Sequence, residues 1–257
     1  MTHKSRDNLS TALKRLLKPL VPPALIEARL RRVRRAIELK FSGQSPREVF
    51  AEVYESGLWG DGGTDGYYSG TGSHHSDLTD GYLRAVRDFL GEFAAPPNVV
   101  DLGCGDFNIG RQLRPLCDRY TACDVVPALV ERNRSIYADL DVDFRCLDIA
   151  SDELPEGDVV LVRQVLQHLS NTHIARVVPK LSQYTYLILS EHLPAASAFV
   201  PNRDKLAGPH IRLGLEGGDS GIVLTAPPFN LRCADEKILC EAKEYRGRIV
   251  TTVYRLR

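Results

Sequence analysis

From residue 98 onward the chain alternates short apolar runs with segments of helical periodicity. The runs are NVVDL (98–102), YTACDV (120–125), VDFRCLD (142–148), DVVLVR (158–163) and YTYLILSE (184–191). Runs of this length, bounded by turn residues, predict buried strands. Strands that alternate with helices predict an α/β fold with a mostly parallel sheet and helices on both faces. The end of the chain differs. KILCEAKEY (237–245) and RIVTTVYRL (248–256) are β-rich and separated by Arg246-Gly247, which predicts an antiparallel hairpin. Between 193 and 236 the pattern is irregular and rich in Pro and Gly. A connection that long in a compact fold is functional or disordered.

Upstream of 98 the periodicity is helical. Residues 8–40 read as helix broken near Pro19 and Pro22-Pro23. Leu9, Leu13, Leu16 and Leu17 hold helical spacing before the prolines. Leu25, Leu30, Val33 and Ile37 follow them, opposite an arginine-rich face. Residues 46–58 predict a short helix with Pro46 in its first turn. Residues 59–77 are rich in Gly, Ser and Asp and predict a loop, and 78–93 a further helix. The expected division is a basic helical extension (1–45), helices with a glycine-rich lid loop (46–97), and a main domain (98–257). That main domain contains a substrate insert at 193–236.

Composition narrows the classes. The chain has 257 residues, 43% hydrophobic and 26% charged, which excludes wholesale disorder. A core of that size needs no disulfide or structural metal. None of the six cysteines forms a C-x-x-C pair, which predicts a reduced, cytoplasmic protein. No apolar run is long enough to span a bilayer, and no signal-peptide core stands at the N-terminus. Lys+Arg and Asp+Glu are both 33, so no global field draws the chain to nucleic acid. The balance hides an asymmetry. Residues 1–40 hold eleven bases and three acids, a net +8, leaving −8 elsewhere. Such a segment predicts peripheral contact with an anionic membrane face, or a solvated helix docked on a protein surface.

The most informative stretch is VVDLGCGDFNIG (99–110). A strand runs into Gly103-x-Gly105, where glycines permit a tight turn and close approach of a ligand. The dinucleotide pattern G-x-G-x-x-G needs glycine at 108, which is Asn108, so a nicotinamide cofactor is disfavoured. Asp101, Asp124 and Asp148 end three successive strands. That rim is where open α/β sheets bind ligands, and an acid at Asp124 is spaced to accept ribose hydroxyls.

Together VVDLGCGD, ACD (122–124) and LDI (147–149) resemble a class I S-adenosylmethionine-dependent methyltransferase. The resemblance covers 98–257 and implies a Rossmann-like, seven-stranded, mostly parallel sheet ending in an antiparallel hairpin. It implies that Asp101, Gly103 and Gly105 shape the methionine side, that Asp124 binds ribose and that Asp148 binds adenine. F-x-x-x-Y-x-x-x-x-W-G (50–60), Y-S-G-T-G-S (68–73) and R-Q-V-L-Q-H-L-S (163–170) further resemble a bacterial glycan and small-molecule O-methyltransferase group. RQVLQ after the fourth strand is unlike the N-P-P-Y or D-P-P-Y of amino-directed nucleic-acid methyltransferases.

Methyl transfer to a hydroxyl requires in-line positioning and removal of a proton. His168, after the fourth strand, is the first candidate for general base, with Gln164 on the same face if 164–168 is a helical turn. Arg163 and Gln164 are placed beside the methyl donor. Glu191 and His192 end the fifth strand on the same rim, so they are further candidates for the acceptor side. With Asp204 and His210 they could hold Mg²⁺, but no tight ligand spacing favours it. Tyr67, Tyr68, Ser69, His74 and His75 lie in the loop expected to close over the cofactor, with Tyr68 assigned to cofactor binding. The leading expectation is O-methylation of a saccharide or related small hydroxyl compound. The alternatives are N- or carboxyl-methylation of a small metabolite, and a non-catalytic cofactor-binding protein held at a membrane by residues 1–40. No oligomeric state follows from the sequence.

Overall fold

The five apolar runs and the terminal hairpin form one sheet. Its strands are β1 (Val99–Leu102), β2 (Tyr120–Asp124), β3 (Asp143–Cys146), β4 (Val159–Arg163), β5 (Tyr186–Pro194), β6 (Asp235–Glu244) and β7 (Gly247–Arg255). They are seen in a computed structural model that describes residues 23–61, 66–244 and 246–257. The strand order is β3-β2-β1-β4-β5-β7-β6. The first five strands are mutually parallel. β7 runs antiparallel to β5, with Pro194 opposite Gly247, and β6 antiparallel to β7. The hairpin turn therefore lies at the carboxyl end of β5, on the rim that carries the strand-end acids.

The central strands β1 and β4 are covered on both faces, whereas the edge strand β3 buries only Phe144. All four residues of β1 and the first four of β4 are buried. α4 (Ser76–Gly91) buries Leu78, Tyr82, Leu83, Val86 and Leu90. Tyr82, Leu83, Val86 and Leu90 join Val99, Leu161 and Ile188 of the sheet in one core cluster. Leu90→Ala in that cluster would cost about 2–5 kcal/mol. α2 (Pro46–Glu55) starts with a capping box. Ser45 Oγ accepts the Glu48 N–H, and the Glu48 carboxylate accepts the Ser45 N–H at 2.8 Å. α2 buries Val49, Phe50, Val53 and Tyr54.

Local differences from the sequence expectation have physical causes. After the glycine turn, α5 spans only Gly110–Leu113. Phe107 takes φ +63°, which breaks helical continuity. Its fully buried ring packs edge-on against Tyr120, Tyr137 and Phe144. The expected loop at 59–77 contains one helical turn, α3 (Thr71–His74), and α4 begins at Ser76. β5 extends to Pro194, so the insert is shorter than expected. Residues 195–234 contain no strand or helix, yet Asn202, Arg212 and Ser220 are buried there. Those side chains bond backbone carbonyls and so replace regular structure in satisfying the buried backbone.

The chain divides into two units, 1–40 and 41–257. The expected helix before Pro22 lies outside the described residues. The described part of the first unit is α1 (Pro23–Lys40), on which Leu25, Ile26, Leu30, Val33 and Leu39 are exposed. Arg34 Nε donates to Glu38 Oε1 at 3.0 Å, one turn apart. Among the described residues no helix is long and apolar enough to cross a membrane.

Candidate active site

The turn after β1 is shaped by two left-handed glycines, Gly103 (φ +79°) and Gly105 (φ +57°). A side chain at Gly103 would collide with Val165, and one at Gly105 with Ser69. The Gly103 and Cys104 N–H groups donate to the Cys123 carbonyl at 2.8 and 2.9 Å, which ties the turn to β2. Asp124 completes the link. Its Oδ2 accepts the Gly105 N–H at 3.0 Å and its Oδ1 the Val126 N–H at 3.1 Å. Burial pushes the Asp124 carboxyl up to about 6, against these N–H groups, which pull it down. Asp101 is buried beneath the turn and accepts the Tyr120 hydroxyl at 3.0 Å. Burial pushes it up to about 7, against that hydrogen bond. Asp148, after β3, accepts the Ala150 N–H at 2.9 Å and is half-buried.

A cover lies over this turn. Asp106 Oδ2 accepts the Ser69 N–H at 2.9 Å and stands 2.6 Å from His74 Nε2. The Asp106 N–H donates to Ser69 Oγ at 2.8 Å, and Asn108 Nδ2 donates to the Ser73 carbonyl at 2.7 Å. Arg163, at the end of β4, donates to the Gly72 carbonyl and to Ser73 Oγ. Its guanidinium lies 4.8 Å from the centre of the Tyr82 ring. Tyr68 stacks on His74 with ring centres 4.4 Å apart.

Under the cover runs a cavity of about 260 Å³. Its glycine end is lined by Gly103, Gly105, Asp124, Asp148, Arg163 and Gln164. Its far end is lined by Phe50, Trp59, Gln167, His168, His192 and Glu244. Gln164 takes φ +56°, so it precedes rather than joins the helical turn at Leu166–His168. Gln164 and His168 nonetheless line the same cavity.

The far end has an aromatic wall. Trp59 stacks on Phe50 at 5.9 Å and lies 5.1 Å from the His168 ring. The Trp59 indole N–H donates to the Pro209 carbonyl at 3.1 Å. His168 Nδ1 lies 3.3 Å from the Gly208 carbonyl, and Nε2 lies 3.3 Å from Gln167 Nε2. Those contacts suit the neutral tautomer with the proton on Nδ1. Burial, together with the Lys205 ammonium, lowers His168 to about 3. His192 Nδ1 lies 3.1 Å from Glu244 Oε2.

The expected residues therefore fall into three groups. Gly103, Gly105, Asp124, Asp148, Arg163, Gln164, His168 and His192 line one cavity. Asp101 borders a small adjoining space together with Arg163 and Asp106. Tyr68 and Glu191 are outside the lining. Tyr68 belongs to the cover, and Glu191 is buried behind the rim, where its Oε1 accepts the Leu166 N–H at 3.1 Å. Burial pushes Glu191 up to about 8, against the opposing charge of Arg212. Among the described residues no group of three or more His, Cys, Asp or Glu is arranged to hold a metal ion. Asp106 and Glu244 were not singled out from the sequence. Asp106 stands within the glycine turn, and Glu244 just before the hairpin turn that returns to the strand-end rim.

Residues 100–185 match the family described as a methyltransferase domain. No curated protein matches the chain. Among solved structures, the N-methyltransferase NodS from Bradyrhizobium japonicum WM9, in complex with S-adenosyl-L-homocysteine, aligns with TM-score 0.57 at 16% identity. The alignment covers 80% of this chain and 98% of that one. Magnesium protoporphyrin IX methyltransferase (ChlM) from Synechocystis PCC 6803, with bound S-adenosylmethionine, aligns with TM-score 0.51 at 16% identity, covering 83% and 99%. The N-terminal domain of EvdMO1, in the presence of S-adenosylhomocysteine and D-fucose, aligns with TM-score 0.50 at 17% identity, covering 84% and 99%. At these identities the likeness to solved structures is one of fold.

Residues 100–185 carry a methyltransferase domain on a seven-stranded Rossmann-like sheet, the architecture on which the aligned structures hold S-adenosylmethionine or S-adenosylhomocysteine. The chain's own residues fit that cofactor. Acids stand at consecutive strand ends, and the glycine turn has no room for side chains. Gln164 Nε2 is buried at the cavity without a hydrogen-bond partner among the described residues, a donor that a ligand would satisfy.

Proposed function

We propose that this methyltransferase transfers the methyl group to a hydroxyl of a saccharide or a closely related small polar compound. The observation that carries this reading is the far end of the cavity. There the Trp59 and Phe50 rings face the same space as Gln167, His168, His192 and Glu244. An apolar ring face beside several polar groups suits a sugar, whose C–H face stacks while its hydroxyls bond. The likeness to the EvdMO1 domain, whose structure was determined in the presence of D-fucose, supports the same class.

S-adenosylmethionine supplies a methyl group already activated on a sulfonium. The chain's own residues bind, orient and exclude water. In this reading Asp124 accepts the ribose hydroxyls and Asp148 the adenine amino group. Asp101, Gly103, Gly105, Arg163 and Gln164 hold the methionine side. Tyr68 contributes through its stack on His74, which keeps the cover shut. His168 keeps its Nδ1 proton against the Gly208 carbonyl and presents Nε2 to Gln167, so the geometry favours a binding role for it over that of base.

The test is calorimetric titration with S-adenosylhomocysteine, followed by a labelled-methyl screen of saccharides. Binding that Asp124→Ala weakens at least tenfold, with methyl incorporated on a sugar oxygen, is the expected result. Incorporation only into amines or carboxylates would overturn the hydroxyl reading.

We further propose that residues 1–40 give the enzyme peripheral contact with an anionic membrane face. Leu25, Ile26, Leu30 and Val33 are exposed on α1, whose sequence also carries Arg29, Arg31, Arg32 and Arg35. Apolar residues that enter the interface, beside arginines that meet phosphates, are the composition such contact needs.

A further inference from the structure

The far end of the cavity presents three ionisable groups to an acceptor: His168, His192 and Glu244. Two of them are poorly placed to take a proton. His168 has its Nδ1 against the Gly208 carbonyl and its Nε2 against the Gln167 amide. Burial also keeps it a weak base. His192 is buried, and its Nε2 is turned to the start of β7: a Cβ built on Gly247 would lie 2.7 Å from that atom. Its other nitrogen, Nδ1, is directed at Glu244.

Glu244 differs from both. It ends β6, where the antiparallel register puts it opposite Gly247, and Gly247 is opposite Pro194 of β5. The hairpin thus returns this carboxylate to the rim where the parallel strands end. Its side chain is 28% exposed, against 3% for His192, so it is the accessible member of the pair. His192 Nδ1 lies 3.1 Å from one of its oxygens. A half-exposed carboxylate oriented by an imidazole in the lining of an aromatic-walled pocket is arranged to accept a proton from a bound hydroxyl.

We infer that Glu244 is the catalytic proton acceptor of the methyl transfer and that His192 is its positioning residue. This rests on the hydroxyl-acceptor reading above. The acceptor oxygen forms the new bond to the methyl carbon. The sulfur–methyl bond breaks, and its electron pair stays on sulfur to leave a neutral thioether. The hydroxyl proton passes to the Glu244 carboxylate.

The first test needs no acceptor. Sinefungin carries an ammonium-bearing carbon where the cofactor carries its methylsulfonium. A carboxylate beside the transferred methyl favours that ammonium over the neutral thioether of S-adenosylhomocysteine. Calorimetry on wild type, Glu244→Gln and Glu244→Asp should show sinefungin preferred by wild type. That preference should fall about tenfold in Glu244→Gln and be partly kept in Glu244→Asp, as expected for loss of one close charge pair. S-adenosylhomocysteine affinity should stay within about twofold throughout, because the ligand places no charge there. No wild-type preference, or one that Glu244→Gln retains, overturns the inference.

The second test uses the saccharide that the labelled-methyl screen identifies. Turnover should drop at least about a hundredfold in Glu244→Gln with cofactor affinity kept. Undiminished turnover overturns the inference. If wild type methylates no saccharide, the acceptor reading fails, while the sinefungin comparison still decides the place of the carboxylate.

Discussion

Asp101, Asp124 and Glu191 are buried acids, and burial holds each above the ordinary carboxylate range, at about 7, 6 and 8. An acid that is harder to ionise in the folded state stabilises the fold at low pH. That contribution is lost as pH rises through the folded value. His168 has the opposite sign. Its folded value near 3 lies below that of the unfolded chain, so its contribution is present at neutral pH and lost in acid. The two effects oppose each other below about pH 6.5, and above it only the acids remain. The urea midpoint of the ligand-free protein should therefore fall between pH 6.5 and 8.5. Asp101→Asn and Glu191→Gln should each flatten that fall. A midpoint that rises over this interval would show that these carboxyls ionise freely in the fold.

The acids most legible in the sequence are those that end apolar runs, because the run itself places them on the rim. Asp101, Asp124 and Asp148 were found that way. Glu244 was hidden by distance along the chain. Only the register of β5, β7 and β6 brings it to His192, 52 positions earlier. Arg212 was hidden for another reason. It is fully buried in a segment with no periodicity, donating to the Leu169 and Arg203 carbonyls. Periodicity can predict burial only where the backbone repeats.

At the scale of elements, the glycine-rich segment before α4 is fastened rather than loose. Its composition announced a loop but could not show what holds it. Asp106 meets both Ser69 and His74, Asn108 meets the Ser73 carbonyl, and Arg163 meets Gly72 and Ser73. Gly70 to Ser73 line the cavity from above, so a cofactor bound there is enclosed by backbone tied to the turn beneath it. Exchange then requires these bonds to open. Asp106→Ala removes the acceptor shared by Ser69 and His74 but leaves Asp124 in place. S-adenosylhomocysteine should dissociate at least about fivefold faster from that variant, an effect equivalent to losing about 1 kcal/mol of net hydrogen bonding. Stopped-flow measurement of release, read through the single tryptophan, Trp59, checks it. An unchanged rate would mean that the cover does not gate release.

At the scale of the whole molecule, the balanced net charge conceals two unlike parts. Residues 1–40 carry +8, while 41–257 carry −8 and every described residue that lines the cavity. Every residue of the core cluster lies in the larger part, so that part has what it needs to fold by itself. Removing 1–40 should therefore leave S-adenosylhomocysteine affinity within about twofold, since none of the described cavity-lining residues is lost. Membrane contact should change completely. The full chain should co-float with vesicles containing phosphatidylserine and be released by high salt, because arginine–phosphate attraction is screened within about 10 Å at 0.1 M. The 41–257 protein, with its net negative charge, should stay in solution. Leu30→Ser with Val33→Ser in the full chain separates the two contributions. If apolar insertion assists the charges, this pair weakens flotation although the basic charge remains. If the pair binds as well as wild type, attraction alone holds the chain to the vesicle. If the full chain fails to float at low salt, the basic segment has a partner other than an anionic bilayer.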